Sequence, residues 1–411
     1  MRPMGKLRRT VLAGLAVGVS GTALAAALAV PAHAAGASQD GASRGSASQD
    51  GASRGSASRD GASRDGASRA DRTGGPGEWT GAAGLGWRPT GTGTDARFRG
   101  LAAVSRTSAW VAGSKGTVLR TSDGGRTWRD VSPPGAAEAA LEFRDIEAFD
   151  GRRAVALAIG EGEASRIFRT EDGGRSWTES FRNTDARAFY DCVTFFDSRN
   201  GLAMSDPVDG KFRILSTRDG GASWKVLPDA GMPAALPGEA GFAASGQCLV
   251  TSGPKDVWLA TGGAATARVL HSADRGLHWT VTDSTIPAGD PARGVFGLAF
   301  RDRTHGLAVG GDYRADQASP RAASVTGNGG RTWRQATTPP PAYRSGVAWL
   351  PYSRSSALAV GPTGTDLTTD GGRTWRTIDN GSYDTVDCAP DRGCWAAGEK
   401  GRVARSVPGA P

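Results

Sequence analysis

The chain has 411 residues, a formal net charge of +8, four cysteines and four histidines. Its first 34 residues hold Arg2, Lys6, Arg8 and Arg9 and no acid, and residues 35–75 add six Arg against five Asp, so only about +3 remains for the rest. That balance excludes the basic stripe of a nucleic-acid binder, and so few cysteines and histidines leave no expectation of a metal centre or cofactor.

The amino terminus reads as an export signal. Four basic residues precede an apolar run, Val11–Val30, and Pro31-Ala32-His33-Ala34 supplies an Ala-x-Ala cleavage site. Arg8-Arg9-Thr10-Val11-Leu12 fits a twin-arginine signal as well as an ordinary one, so both export routes stay open. Residues 35–75 cycle through Gly, Ala, Ser, Arg, Gln and Asp without one aromatic or large aliphatic side chain. Such a segment buries too little apolar surface to offset its ordering entropy and is expected to be a tether. A folded domain is expected over residues 76–411, secreted or at the cell envelope, with no membrane insertion after signal cleavage.

Six copies of one phrase organise that domain. The first is Thr121-Ser-Asp-Gly-Gly-Arg-Thr-Trp128, and the others end at Trp177, Trp224, Trp279, Trp333 and Trp375. Successive tryptophans are 49, 47, 55, 54 and 42 residues apart, the period of a repeat architecture. Around the first copy, Phe98–Val104, Ala109–Ala112, Thr117–Arg120 and Trp128–Val131 alternate with Gly, Ser and Asp turns. Four short strands per repeat predict propeller blades, an all-β fold. Within each box the Asp and the glycines form a hairpin turn between the third and fourth strands, and the tryptophan packs into the blade. The structural pairs are Asp123 and Trp128, Asp172 and Trp177, Asp219 and Trp224, Asp274 and Trp279, Asn328 and Trp333, and Asp370 and Trp375. Asn328 stands where the others have Asp, and His278 where they have Thr or Ser. A turn tolerates such changes and a catalytic acid does not, so the boxes build the fold.

After Trp375 three more strands follow without a box: Tyr383–Cys388, Trp395–Gly398 and Arg402–Ser406. Gly86-Trp87-Arg88-Pro89 resembles Thr127-Trp128-Arg129-Asp130 and is expected to supply their missing fourth strand. The prediction is therefore a seven-bladed propeller closed by the pairing of its two ends, with six blades and a tail as the alternative. Four cysteines in an exported chain favour two disulfides, and of three connectivities we favour Cys388–Cys394 across a turn and Cys192–Cys248 between adjacent blades.

The box resembles the Asp-box of bacterial neuraminidase-type (BNR) repeats, and the likeness covers about Trp79 to Val407. With blade starts such as Phe98-Arg99, Phe143-Arg144 and Tyr343-Arg344, the chain most resembles the photosystem II stability/assembly factor-like group, in its non-photosynthetic bacterial branch. Met204-Ser-Asp-Pro-Val-Asp-Gly-Lys211 and Gly241-Phe-Ala-Ala-Ser-Gly246 carry the same likeness. The resemblance implies a binding or assembly role; the photosynthetic client is not carried over. The sialidase-like superfamily shares the box and supplies the alternative, a glycoside hydrolase acting on extracellular glycans. Phe212-Arg213-Ile214-Leu215 is only faintly like the sialidase Phe-Arg-Ile-Pro motif, lacks its proline and lies in the third blade, so it is not assigned. An oxidoreductase has the least support, because no dinucleotide-binding glycine motif and no Cys-x-x-Cys occur.

A site is expected on the face away from the boxes, where the loops after each second strand meet the starts of the innermost strands. The candidates are Arg99, Arg144, Asp145, Asp191, Asp206, Asp209, Asp312, Tyr313, Arg344 and Asp384. If the protein were a hydrolase, Asp145 and Asp191 would be its carboxylate pair. The expected partner is a protein or glycan, bound by a monomer.

Overall fold

The hairpin boxes and the period-two strands close into a ring. A computed structural model describes residues 84–314 and 319–408; the expected signal peptide and tether lie outside them. These residues fall within one compact unit, Gly75–Pro411. Among them, 28 strands form seven antiparallel sheets of four, a seven-bladed propeller. Blade one is β2–β5, starting at Phe98–Ala103 and ending at Arg129–Asp130. Blades two to six are β6–β9, β10–β13, β14–β17, β18–β21 and β22–β25, whose first strands are Glu142–Ala148, Tyr190–Phe195, Leu249–Ser252, Arg293–Phe300 and Gly346–Trp349. Blade seven is made from both ends: β26 (Thr385–Cys388), β27 (Cys394–Ala397) and β28 (Val403–Pro408), with β1 (Leu85–Thr90) outermost. β1 runs antiparallel to β28, Trp87 opposite Ser406, as the likeness of Trp87 to the box tryptophans predicts. No helix among the described residues is long and apolar enough to cross a membrane.

The core is divided among the seams between blades. Seven apolar clusters each join two neighbouring blades, and each contains one tryptophan from the outer edge of the later blade: Trp128, Trp177, Trp224, Trp279, Trp333, Trp375 and Trp87. This refines the expectation that the tryptophan serves its own blade. The indole of Trp177 donates to the carbonyl of Val131 in blade one and meets Trp110 edge-on. Trp128 likewise donates to Thr90 on β1 and packs edge-on against Trp395 of blade seven. Blades are wedges that diverge outward, and a large flat ring near the outer edge fills the gap a smaller side chain would leave.

The boxes are turns locked by side chains. Asp123 accepts from the backbone N–H and the hydroxyl of Thr127, at 3.0 and 2.6 Å, and from the hydroxyl of Thr121 at 2.9 Å. In the fourth copy the His278 ring nitrogen meets Asp274 at 2.7 Å, in place of a hydroxyl. In the fifth, the Asn328 amide donates to Thr332 while its carbonyl oxygen accepts the Thr332 N–H. Gly125 has φ +78°, and a Cβ there would sit 2.5 Å from the Thr90 methyl, so the turn needs glycine twice over. The Thr127 hydroxyl, then its N–H, hold the Asp123 carboxyl at about 2, and the Ser176 N–H, then its hydroxyl, do the same for Asp172. An unfolded Asp titrates near 3.9. The boxes therefore stabilise the fold above that value and lose the contribution as pH falls from about 4 through about 2. Circular dichroism against pH should show the wild type losing stability in that window; Asp123→Asn with Asp172→Asn, which keeps the geometry as Asn328 does, should flatten the dependence there.

Both predicted disulfides are formed. Cys192 and Cys248 join blades three and four with Cα atoms 6.1 Å apart, and Cys388 and Cys394 close the β26–β27 hairpin.

A plugged channel with one charged and aromatic mouth

The seven first strands surround a channel, but a loop fills its middle. The longest connection between blades, residues 227–248, joins β13 (Lys225–Val226) to β14 and sends Gly241–Gln247 inward. It is held from around the ring. Gly241 donates to Asp206 of blade three (2.7 Å), and Arg144 of blade two donates to the carbonyl of Ala243 (3.1 Å). Ser245 donates to the Ser345 carbonyl just before blade six and accepts from Thr385 of blade seven through its own carbonyl. Gln247 donates to Val386 and accepts from Val347, so one amide bridges blades six and seven. Phe242 stacks on Phe296 of blade five with ring centres 4.1 Å apart. Gly246 permits the close approach: its φ is +75°, and a Cβ there would lie 2.3 Å from an Asp145 carboxylate oxygen.

The plug separates two cavities. On the box side, about 340 Å³ is lined by Asp145, Glu147, Asp387, Gln247 and Thr251 among others. Asp145 lies under the plug and accepts from the N–H groups of Ile146 (2.8 Å) and Val193 (2.7 Å). Burial pushes the Glu147 carboxyl up, helped by the nearby Asp145 and Asp387.

On the opposite face, a recess of about 490 Å³ is lined by three arginines, three acids and an aromatic wall. Around the ring, Arg97 and Arg99 come from the start of blade one, Arg144 from blade two, and Asp191 and Asp206 from blade three. Phe242 belongs to the plug, Phe296 and Tyr313 to blade five, and Tyr343 lies just before blade six. Asp384, just before blade seven, completes the circle and is gripped by Arg97 through two bonds of 2.7 Å. Burial lowers the Arg99 pKa, and its Nε has no partner. Burial also pushes the Asp191 carboxyl up, and the charge of Asp206 pushes it further. Asp206 is raised to about 6 by burial, against the opposing Gly241 N–H.

The structure thus gathers Arg99, Arg144, Asp191, Asp206, Tyr313 and Asp384 at one mouth. Four other candidates lie elsewhere. Arg344 is 1 % exposed and points into blade six, where its Nε meets Asp366 at 2.5 Å. Asp209 sits at a hairpin tip, paired with Arg187 at 2.7 Å. Asp312 is held on the rim by Arg293 at 2.9 Å. Asp145 faces the box-side cavity, so Asp145 and Asp191 do not line one cleft as a hydrolase pair. Sequence reasoning overlooked Arg97, Phe242, Phe296 and Tyr343. For Phe242 the signal was available in the 55-residue interval from Trp224 to Trp279, the longest of the five, which contains the plug.

No protein-family model and no curated protein sequence matches the chain. Solved structures do. YCF48 bound to a D1 peptide superposes with a TM-score of 0.55 at 14 % identity, over 78 % of this chain and 96 % of that one. YCF48 from Cyanidioschyzon merolae gives 0.55 at 15 %, over 78 % and 98 %. The Neurospora crassa Pan2 WD40 domain gives 0.53 at 12 %, over 77 % and 90 %. At these identities the likeness is one of fold.

Proposed function

We propose that this protein is an exported, non-catalytic propeller that binds a partner protein through the mouth away from the boxes, and that it acts in assembly or stability at the cell envelope. The observation that carries this reading is the recess itself: a blind concavity with convergent arginines and an aromatic wall on a rigid ring. A peptide-bound propeller of the same fold, YCF48 with its D1 peptide, makes a protein ligand the natural first choice over a glycan. Two disulfides suit an oxidising compartment, in keeping with the export signal read in the sequence. The reading treats the protein as a monomer with neither cofactor nor nucleic acid.

The test is capture from an envelope extract by wild type and by Arg97→Ala with Arg144→Ala and Tyr313→Ala. We expect a discrete partner on the wild type and its loss from the variant; an unchanged set of captured proteins would place recognition elsewhere.

The glycoside hydrolase alternative keeps one observation in its favour, the Asp191 and Asp206 pair within an aromatic-walled recess. The carboxylate pair expected from the sequence, Asp145 and Asp191, is nevertheless divided between the two cavities, whereas glycosidase carboxylates flank one substrate roughly 5–9 Å apart. Hydrolysis of fluorogenic glycosides by wild type but not by Asp191→Asn would establish that alternative.

A further inference from the structure

The fold satisfies its buried charges with care, which makes the exceptions informative. Arg344 is paired with Asp366, and Arg268 with Glu239. Asp145 and Asp387 each accept two backbone N–H groups. Among the described residues five buried side-chain polar atoms have no partner, and two of them line the same recess: the Arg99 Nε and the Asp191 Oδ2. One belongs to a base and the other to an acid. They do not pair with each other because they belong to blades one and three, with Arg144 of blade two between them. Asp384, the acid whose field acts most strongly on Arg99, is already engaged by Arg97. A buried guanidinium nitrogen and a buried carboxyl oxygen that both lack a partner are costly unless something else completes them.

Resting on the mouth as the binding site, we propose that the recess accepts a small zwitterion, an ammonium and a carboxylate on an apolar body, with Arg99 taking the carboxylate and Asp191 the ammonium. The cavity volume lies within the roughly 300–1,000 Å³ of small-ligand sites. The stacked Phe242 and Phe296, with Tyr343 edge-on at 4.8 Å from Phe296, offer the apolar body a wall. Free amino acids and short peptides share this chemistry. They differ in the distance between charges, so two probe lengths separate them.

The experiment is calorimetric titration of the purified chain with L-phenylalanine and with the dipeptide L-alanyl-L-phenylalanine, each also N-acetylated and also as the carboxamide. Each capped form should bind about 10- to 100-fold more weakly than its zwitterion, the worth of one charge-assisted hydrogen bond. Arg99→Gln should abolish the penalty of amidation while leaving that of acetylation; Asp191→Asn should do the reverse. Equal binding of capped and free forms, penalties unchanged in the variants, or no binding of either zwitterion would overturn the proposal. Near-UV circular dichroism checks that each variant is folded, and the Arg99→Gln arm decides alone if Asp191→Asn is not. A partner captured from extract without zwitterion binding leaves the mouth reading standing and removes only this ligand; zwitterion binding without a partner does the converse.

Discussion

Arg344→Ala should destabilise the propeller by about 3–5 kcal/mol, the largest loss expected from any single substitution considered for this chain. Both Arg344 and Asp366 are at most 1 % exposed, and their contact is only one part of a network. Arg344 also donates to the Tyr343 carbonyl and the Thr363 hydroxyl, while Asp366 accepts from the Thr377 hydroxyl. Removing the guanidinium leaves a carboxylate sealed in blade six, where it must stay charged without a partner or take up a proton. A urea titration reads the loss as a lower midpoint at unchanged slope. Arg344→Met combined with Asp366→Leu should recover most of it, because a buried ion pair replaced by apolar groups of similar volume is often near neutral. If the single variant lost under about 1 kcal/mol, the pair would be structurally idle and the removal of Arg344 from the candidate site would need reconsidering.

The second large effect is expected at the disulfides, and it should be unequal. Cys192 and Cys248 enclose a segment with a sequence separation of 56, and Cys388 and Cys394 one of 6. In the chain-entropy account, replacing the first pair by serine costs about 4 kcal/mol and the second about 2 kcal/mol. The first change should also have a local signature. Cys248 directly follows Gln247, the residue that ties the plug to blades six and seven. Limited proteolysis of Cys192→Ser with Cys248→Ser should therefore open within residues 227–247, where the wild type resists. Equal losses for the two pairs would show that the loop-closure argument does not govern here.

The architecture was legible because it is written in a repeated turn. Every box keeps its second glycine and its tryptophan, and Asp gives way only to Asn328, because the physics of a tight hairpin leaves few substitutes. Trp87 could be recognised as the seventh member because it fills the seam between blades six and seven as its six counterparts fill theirs. The site was only partly legible. Arg99, Arg144 and Arg344 follow Phe98, Phe143 and Tyr343 in what reads as one motif, yet only two of them reach the mouth. What distinguishes Arg344 lies on another strand. Two residues before the box Thr, blades one to three have Leu119, Phe168 and Leu215, whereas blade six has Asp366 on β24 (Gly364–Thr368). An acid at a position otherwise uncharged announces a buried cation, but which arginine answers it depends on pairing across strands that spacing along the chain does not encode. The plug was hidden for a different reason. Gly241–Gln247 has no periodicity, and its hydrogen bonds reach blades two, three, five, six and seven, so nothing local records its destination.

Closure of blade seven by β1 and β28 also sets an order of events in synthesis. Leu85 finds its partner Pro408 only when nearly the whole domain has been made. Distance along the chain is a modest obstacle, since each doubling of a closing loop adds only about 0.6 kcal/mol. Time is the larger one. At about 5–20 residues per second the first strand waits tens of seconds with its N–H and C=O groups open and Leu85 and Trp87 uncovered. During that interval blades one to six can zip sequentially against one another, while both outer faces of the growing arc remain adhesive. The last six strand residues to emerge therefore act as a latch: a nascent chain truncated before Val403 would hold every box and still be an open ring.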